Sequence, residues 1–254
     1  MSWLDSSEPP PFTLEHAKGR SAYLLTCDHA SNRLPSRLGC LGLGAEELAT
    51  HVAWDIGAAG VARRLAEALD AFLIMPNYSR LAIDCNRPPG SAQSIVARSE
   101  STEIPGNRDI PGSEAEARAN ALFRPYHDRI RAELDARREQ DRPAVLLALH
   151  SFTPIYHGVV RPWHAGLLYG RDHRLGRVLL ESLRAEPGLT IGDNQPYAAS
   201  DLTDYAIPVH GEARGILHTG LELRQDLIAD ADGQAAWAAR LAPLLERALA
   251  KCAA

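Results

Sequence analysis

Histidine and acidic residues stand at the ends of apolar segments in this chain. Asp28 and His29 follow the apolar residues 23–27, and His150 follows the apolar residues 144–149. Neutral imidazole is a common zinc ligand, and a catalytic zinc usually takes three protein ligands and leaves one position for water. The two histidines therefore predict a metal site.

Asp55 is the predicted third ligand, because it stands at the start of the helix expected after the first strand. His51 is the alternative, since it lies one helical turn earlier on the same helix face. An aspartate at a helix start can also serve only to stabilise the helix dipole. Residue spacing alone leaves these alternatives open.

Glu222 stands between two leucines in an apolar segment, where an unpaired buried carboxylate would be costly. We interpret it as a general base that takes a proton from water and hands it to the leaving amine. The alternative is a structural salt bridge to a neighbour such as Arg224.

Asn86 and Arg87 precede two prolines, which indicates a rigidly presented guanidinium. Arginine forms bidentate pairs with carboxylates, so Arg87 is predicted to bind an acidic substrate. Arg80 could share this task, although a plain surface arginine is the alternative for both. Asp84 is expected to orient a partner rather than to react.

These residues need a scaffold that brings strand ends together. Apolar segments that alternate with helical patterns predict an α/β three-layer sandwich with a central mixed, mostly parallel sheet. In such sheets ligands bind outside the carboxyl ends of the strands. Residues 86–113 are predicted to form a long loop that could close over the site. The predicted strands are 23–27, 71–75, 81–84, 144–149, 166–169 and 215–223, and the predicted helices are 45 to beyond 55, 113 onward, 173–186 and 232–250.

Composition limits the class of protein. The 254 residues carry a net charge of -5, and no basic cluster indicates a nucleic-acid partner. No apolar run is long enough to cross a membrane, and the N-terminus lacks the pattern of a secretory signal. Four separated cysteines indicate reduced thiols, so we expect a cytoplasmic protein, as a monomer or weak homo-oligomer. We predict an irregular arm at 1–20 and a single domain at 21–254.

Five motifs resemble, in order, those of the N-formylglutamate amidohydrolase family; they lie at 28–35, 51–57, 78–88, 149–154 and 221–225. The resemblance implies the fold of the zinc carboxypeptidases (phosphorylase/hydrolase-like) with one zinc ion. It also implies His29 and His150 as ligands, Glu222 as the water-activating group, and Asn86 with Arg87 on a substrate carboxylate. The family's activity cleaves N-formyl-L-glutamate to formate and L-glutamate during histidine catabolism.

Residues and resemblance together predict a zinc-dependent amidohydrolase. The hypothesis places Zn²⁺ on His29, Asp55 and His150, although other divalent metals suit the same ligands. Glu222 is the general base in hydrolysis of the amide bond of a small anionic N-formyl or other N-acyl amino acid. N-formyl-L-glutamate is the substrate that we expect most. The alternatives are a carboxypeptidase-like or other N-acyl amino acid deacylase with the same site, and a non-catalytic protein that binds small acids.

Overall fold

The fold is known from a computed structural model, which describes residues 3–253. Seven strands form one sheet, and two short hairpins lie outside it. The sheet strands are β1 (Phe12–Glu15), β2 (Tyr23–Thr26), β3 (Phe72–Pro76), β6 (Val145–Phe152), β9 (Ala165–Leu168), β10 (Ile191–Asp193) and β11 (Leu217–Arg224). The hairpins are β4 (Arg98–Ser99) with β5 (Thr102–Glu103), and β7 (Ile155–Tyr156) with β8 (Val159–Val160).

The sheet is mixed and mostly parallel, as predicted. Its strand order is β1-β3-β2-β6-β11-β9-β10. The pairs β3–β2, β2–β6, β6–β11 and β9–β10 are parallel, whereas β1–β3 and β11–β9 are antiparallel. The carboxyl ends of β2, β6 and β11 therefore meet at one edge of the sheet, which is where a ligand site is expected.

Helices cover both faces of the sheet. Leu25, Leu73 and Leu147 pack on one face with the helices at 58–69, 174–184 and 231–253, whereas Leu24 and Leu146 pack on the other face with the helix at 124–139. This alternation follows from the two-residue period of a strand, and it confirms the three-layer sandwich. The helices are α1 (Ala45–Leu48), α2 (Ala58–Leu69), α3 (Gly112–Arg118), α4 (Arg124–Glu139), α5 (Arg174–Arg184) and α6 (Ala231–Ala253).

The helix predicted to run from Ala45 beyond Asp55 is interrupted. The helical segments α1 and α2 are separated by turns at residues 49–57. Gly57 precedes α2 with φ +80°, and a Cβ atom there would lie 2.1 Å from the carbonyl oxygen of Ile228. Because L side chains rarely adopt this conformation and none fits the space, the chain turns here instead of continuing as a helix.

Two other predictions of local structure were wrong. Residues 81–84 form a turn followed by an irregular segment rather than a strand, because Leu81 and Ile83 pack into two different apolar clusters. The arm at 1–20 is not irregular throughout, since β1 pairs with β3 at the edge of the sheet. No helix within residues 3–253 combines the length and the apolar character that crossing a bilayer requires.

Candidate active site

Neighbouring strands at the centre of the sheet present His150 and Glu222 side by side. Glu222 of β11 is in register with His150 of β6, so both side chains point to the same face. Both residues are buried, near the carboxyl ends of their strands. The central sheet thus fixes the relative position of a candidate ligand and the candidate base.

His29 and Asp55 come from the loops beside these strands. His29 follows β2, and its carbonyl oxygen accepts a hydrogen bond from Asp55 N at 2.9 Å. The turn before α2 is also held by Ser151 Oγ, which donates to the carbonyl oxygen of Ile56 at 2.8 Å. The interruption between α1 and α2 therefore places Asp55 at the sheet edge.

His29, Asp55 and His150 form one buried cluster. Asp55 Oδ2 lies 3.2 Å from His29 Nδ1 and 2.9 Å from His150 Nδ1. One candidate ligand atom from each residue lies within 4.8 Å of the candidate ligand atoms of the other two residues. The structure therefore brings together the three residues predicted as metal ligands.

Further carboxylates stand behind both imidazoles. Asp84 Oδ1 lies 2.7 Å from His29 Nε2, and Asp28 Oδ2 lies 3.4 Å from His150 Nε2. Tyr126 Oη donates a hydrogen bond of 2.5 Å to Asp28 Oδ1, which holds that carboxylate in place. Metal-binding histidines usually present their second ring nitrogen to such a carboxylate, which fixes the tautomer and raises the basicity of the ligand atom.

The hydrogen-bond donors and acceptors of this cluster suit a cation. A carboxylate only accepts hydrogen bonds, so His29 Nε2 must donate to Asp84. In the neutral ring, Nδ1 then carries a lone pair that faces Asp55 Oδ2. His150 repeats this arrangement when its proton lies on the nitrogen that faces Asp28. Facing lone pairs repel unless a proton or a metal ion lies between them, so the donor set fits a divalent metal.

The pKa shifts have the same origin. Burial by itself lowers the pKa of His150, but its contacts with Asp28 and Asp55 raise that pKa well above the usual value. For His29, Asp84 and Asp55 outweigh the lowering by burial and by Arg80, so its pKa is also raised. Burial acts to raise the pKa of Asp55, yet the two histidines hold it below its usual range. The negative surroundings attract protons, and they attract a metal ion for the same reason.

Glu222 is a buried carboxylate with a free oxygen. Its Oε2 atom has no hydrogen-bond partner among residues 3–253, and the side chain borders the same cavity as the histidines. Burial raises the pKa of Glu222 to about 7, against an opposing effect of His150. The salt bridge to Arg224 considered as an alternative does not form, because Arg224 pairs with Asp226 at 2.8 Å. A carboxyl group with such a pKa can accept and return a proton near neutral pH.

The cavity beside the cluster has a volume of about 440 Å³ and is bordered by all three residues predicted to bind substrate. Arg80 pairs with Asp84 at 2.7 Å and lies 3.6 Å from Asp55. Asn86 accepts hydrogen bonds from Tyr205 N and Ala206 N through Oδ1. Both side chains therefore also hold neighbouring parts of the site.

Arg87 has a different environment. Its Nη1 donates to the carbonyl oxygen of Asn86 at 3.0 Å, and no carboxylate of the described residues forms an ion pair with it. His51 also borders the cavity, but its Nε2 contacts Glu100 Oε2 at 3.0 Å, and His51 is not part of the metal-like cluster. The structure thus groups Asp55, rather than His51, with the two histidines.

Sequence reasoning assigned no role to Asp28 or Tyr126. Asp28 directly precedes His29 in the sequence but contacts His150 on another strand. Its position beside His29 therefore did not indicate this contact. Tyr126 lies 98 residues from Asp28 and had no local signal at all.

Comparison with known proteins gives the family. The family model described as N-formylglutamate amidohydrolase matches residues 21–229. The chain belongs to the N-formylglutamate amidohydrolase family. The match confirms the resemblance seen in the sequence motifs, and it makes the chain a member of an amidohydrolase family.

Two solved structures are similar to this one. A gene product of Agrobacterium tumefaciens has 38% sequence identity, a TM-score of 0.96, and coverage of 99% of this chain and 100% of its own. An N-formylglutamate amidohydrolase from Ralstonia eutropha has 19% identity, a TM-score of 0.67, and coverage of 94% and 97%. At that identity, the second structure supports the fold alone. No curated protein matches the chain.

Proposed function

We propose that the protein hydrolyses the amide bond of an N-acyl amino acid, with N-formyl-L-glutamate as the first substrate to test, and that it requires one zinc ion. His29, Asp55 and His150 would hold the ion. The observation that carries this proposal is the cluster of these three side chains beside Glu222, whose Oε2 atom lacks a hydrogen-bond partner within residues 3–253.

A bound zinc ion supplies Lewis-acid chemistry, in which it polarises the scissile carbonyl and lowers the pKa of water. The protein supplies the proton transfers. Glu222 takes a proton from the attacking water, and its pKa of about 7 suits this exchange. The same carboxyl group then gives the proton to the departing amino group. Cleavage thus yields the carboxylic acid of the acyl group and the free amino acid.

The other side chains orient the reactants. Asp84 and Asp28 fix the imidazoles of His29 and His150. Arg80 restrains two of the acids and lies at the cavity, so we assign it mainly to positioning. Arg87 lacks a carboxylate partner and is the better candidate to bind the carboxylate of the substrate, while Asn86 holds the adjoining loop.

The test combines metal content with turnover. The purified protein is analysed by elemental mass spectrometry, and formate release from N-formyl-L-glutamate is measured before chelation, after chelation, and after zinc is restored. We expect about one zinc per chain and release that is lost and regained with the metal. Failure to bind any divalent metal after reconstitution would refute the metal site. Bound zinc without formate release would exclude N-formyl-L-glutamate as the substrate. Other N-acyl amino acids would then be assayed.

The remaining assignments come from the sequence or the family. A cytoplasmic location, a place in histidine catabolism, a monomeric or weakly oligomeric state and a single domain at 21–254 remain proposals. Gel filtration with light scattering tests the oligomeric state directly.

A further inference from the structure

Tyr197 borders the same cavity as Glu222 and the two metal-site histidines, and it has no role in the proton transfers described above. Four other tyrosines donate their phenol protons to oxygen atoms of the protein: Tyr23, Tyr78, Tyr126 and Tyr169. Tyr197 donates to no group within residues 3–253, and it is 42% exposed. Its phenol proton is therefore free for a ligand in the cavity.

Arg161 holds the phenol oxygen of Tyr197. The Nη1 atom of Arg161 donates a hydrogen bond of 3.0 Å to Tyr197 Oη, and its guanidinium carbon lies 4.8 Å from the centroid of the same ring. A guanidinium group has no acceptor, so the phenol oxygen accepts this hydrogen bond and keeps its own proton for another acceptor. Accepting a hydrogen bond from a cation also makes the phenol a stronger donor.

The surroundings of Arg161 indicate that this contact is its main polar one. The residue is 7% exposed, and it forms no ion pair with a carboxylate of the described residues. Aromatic rings surround the guanidinium instead, with the centroid of Tyr156 at 4.4 Å and that of Phe152 at 6.0 Å. A buried cation without an ion pair is costly. Its one side-chain hydrogen bond therefore indicates a role that depends on the orientation of the Tyr197 phenol.

The strand register places the segment before Tyr197 beside Glu222. Glu222 of β11 is paired with Gly166 of β9, and paired residues of neighbouring strands point to the same face of the sheet. A Cβ atom at Gly166 would lie 1.8 Å from the carbonyl oxygen of Gln195. The backbone at Gln195 therefore lies over Gly166, next to the Glu222 side chain and on the side of β11 opposite to His150.

The segment that carries Tyr197 is anchored at both ends. Before it, Asn194 N donates to the carbonyl oxygen of Leu167 at 2.9 Å. After it, Ala206 N donates to Asn86 Oδ1 at 3.1 Å. A hydrogen-bond donor that is held in this way needs little reorganisation when negative charge develops on a substrate.

The phenol of Tyr197 stays protonated at neutral pH. Burial and the negative charge of Glu222 raise the pKa of Tyr197 above its usual value, whereas Arg161 acts in the opposite direction. Tyr197 therefore remains a donor and does not compete with Glu222 as a base. The two side chains differ in what they can do: Glu222 exchanges protons, and Tyr197 stabilises negative charge.

The position beside Glu222 favours the acyl carbonyl oxygen of the substrate as the acceptor. Glu222 must lie next to the water that attacks this carbonyl, so a donor held beside Glu222 lies near the same group. The substrate carboxylate is assigned to Arg87, whose guanidinium has no ion-pair partner within residues 3–253.

We propose that Tyr197 is a further catalytic residue, which donates a hydrogen bond to the acyl carbonyl oxygen of the substrate, and that Arg161 is its positioning residue. This inference rests on the proposed amide hydrolysis and deepens it. The carbonyl oxygen gains negative charge when water attacks the carbonyl carbon, so the hydrogen bond is stronger in the transition state than in the bound substrate. The proton stays on the phenol, and the proton transfers remain those of Glu222.

Tyr197→Phe tests the phenol, because it removes the hydroxyl group and keeps the ring. For the zinc-loaded protein on N-formyl- and N-acetyl-L-glutamate, we expect kcat to fall by about 100-fold, with KM and zinc content nearly unchanged. The matched control, Tyr205→Phe, removes a hydroxyl group that does not border the cavity and should keep kcat. An unchanged kcat in Tyr197→Phe would overturn the proposal. A raised KM with kcat intact would also overturn it, since the phenol would then bind the substrate carboxylate.

A cycle of single and double variants tests Arg161. Arg161→Met removes the donor, and kcat should fall by roughly 10-fold, whereas Arg161→Lys keeps a cationic donor and should retain more activity. In the Tyr197→Phe background, Arg161→Met should lower kcat no further, because the phenol through which Arg161 acts is gone. Circular dichroism verifies folding. Equal losses in the two backgrounds would give Arg161 a structural role and overturn its assignment as a positioning residue.

Binding separates this inference from the proposed function. The probe is a phosphonamidate in which a methylphosphonyl group replaces the acetyl group of N-acetyl-L-glutamate, so that a charged oxygen takes the place of the carbonyl oxygen. Calorimetry compares its binding to the zinc-loaded unaltered protein and to Tyr197→Phe. We expect binding to Tyr197→Phe to be weaker by about 10-fold or more.

The outcomes of binding and turnover distinguish the two proposals. Weaker binding of the probe to Tyr197→Phe, without turnover of any N-acyl amino acid by the unaltered protein, would defeat the proposed hydrolysis and support the hydrogen bond from Tyr197. Turnover together with equal binding to both proteins would support the hydrolysis and overturn the hydrogen bond. Absence of both turnover and binding would overturn both proposals.

Discussion

Two pairs of buried histidines in this protein have opposite properties. His29 and His150 are 3% and 6% exposed, and His127 and His210 are 1% and 0% exposed. The first pair has a raised pKa, whereas burial lowers the pKa of His127 to about 4 and that of His210 to about 3. Burial is nearly equal, so it does not explain the difference.

The difference lies in the contacts of the rings. Each imidazole of the first pair contacts Asp55 and a second carboxylate. His127 instead contacts the carbonyl oxygen of Cys85 at 2.7 Å and His210 at 3.0 Å. Since the carbonyl only accepts, His127 donates through Nε2 and accepts from His210 through Nδ1. Contacts with carboxylates therefore make a buried histidine pair suited to a proton or a cation, and their absence leaves a neutral pair.

The largest expected effect comes from removing one histidine of each pair. His150→Ala should abolish stoichiometric zinc binding and reduce amidase activity by about 1000-fold or more, because two ligands are left. His210→Ala, the matched change at an equally buried ring, should keep the zinc. Elemental analysis and turnover of both variants, with circular dichroism to verify folding, check this expectation. Full zinc content in His150→Ala would show that His150 is not a metal ligand.

Glu222→Gln separates proton transfer from metal binding. The amide keeps the shape of the side chain but cannot take a proton, so kcat should fall by about 100-fold to 10,000-fold. Zinc content should stay unchanged, because Glu222 is outside the three-residue cluster. Steady-state kinetics and metal analysis measure the two effects. Activity close to that of the unaltered protein, with zinc bound, would remove Glu222 from the mechanism.

A smaller effect is expected for the acids behind the rings. Asp84→Asn weakens the hydrogen bond that orients His29, and we expect zinc affinity to fall by about 10-fold to 100-fold. Asp204→Asn is the control, since Asp204 borders the same cavity but bonds to Asn86 rather than to a histidine. Titration of both variants against a competing chelator measures their zinc affinities. Equal losses would attribute the effect to the charge of the cavity rather than to contact with the ring.

A separate effect concerns stability and involves neither zinc nor turnover. The pKa values of His127 and His210 are below the usual value of 6.5, so the unfolded chain binds more protons than the folded one. Their contribution is full above pH 6.5 and is lost as the pH falls toward about 4 and 3. By pH 4 the loss is on the order of 3 kcal/mol for each histidine.

Urea unfolding of metal-free protein between pH 7 and 4 measures this loss. His210→Gln cannot bind the proton, so its free energy of unfolding should depend less on pH than that of the unaltered chain. Comparing the two chains subtracts the titration of the other groups, including the metal-site histidines. Parallel pH profiles would show that the His127–His210 pair is not buried in neutral form.

The strands at the centre of the sheet were predictable from sequence. Residues 144–149 form a continuous apolar run, and the corresponding strand β6 is buried along its whole length. By contrast, residues 81–84 looked like a strand but form a turn and an irregular segment, because their apolar side chains pack into two separate clusters. A run of apolar residues identifies a strand correctly when helices cover both faces of the sheet. The same pattern misidentifies a loop whose apolar side chains are buried in other parts of the protein.

Sequence by itself determined the family, the sandwich and the residue types of the site, because the motifs that contain His29, His150 and Glu222 resemble those of the family. Only the tertiary structure decided which side chains meet. It placed Asp55 in a turn between two helices, set Asp28 behind His150, and separated His51 from the cluster. These contacts join residues from 26 to 122 positions apart, and such pairings depend on strand register and loop closure, which no local spacing encodes.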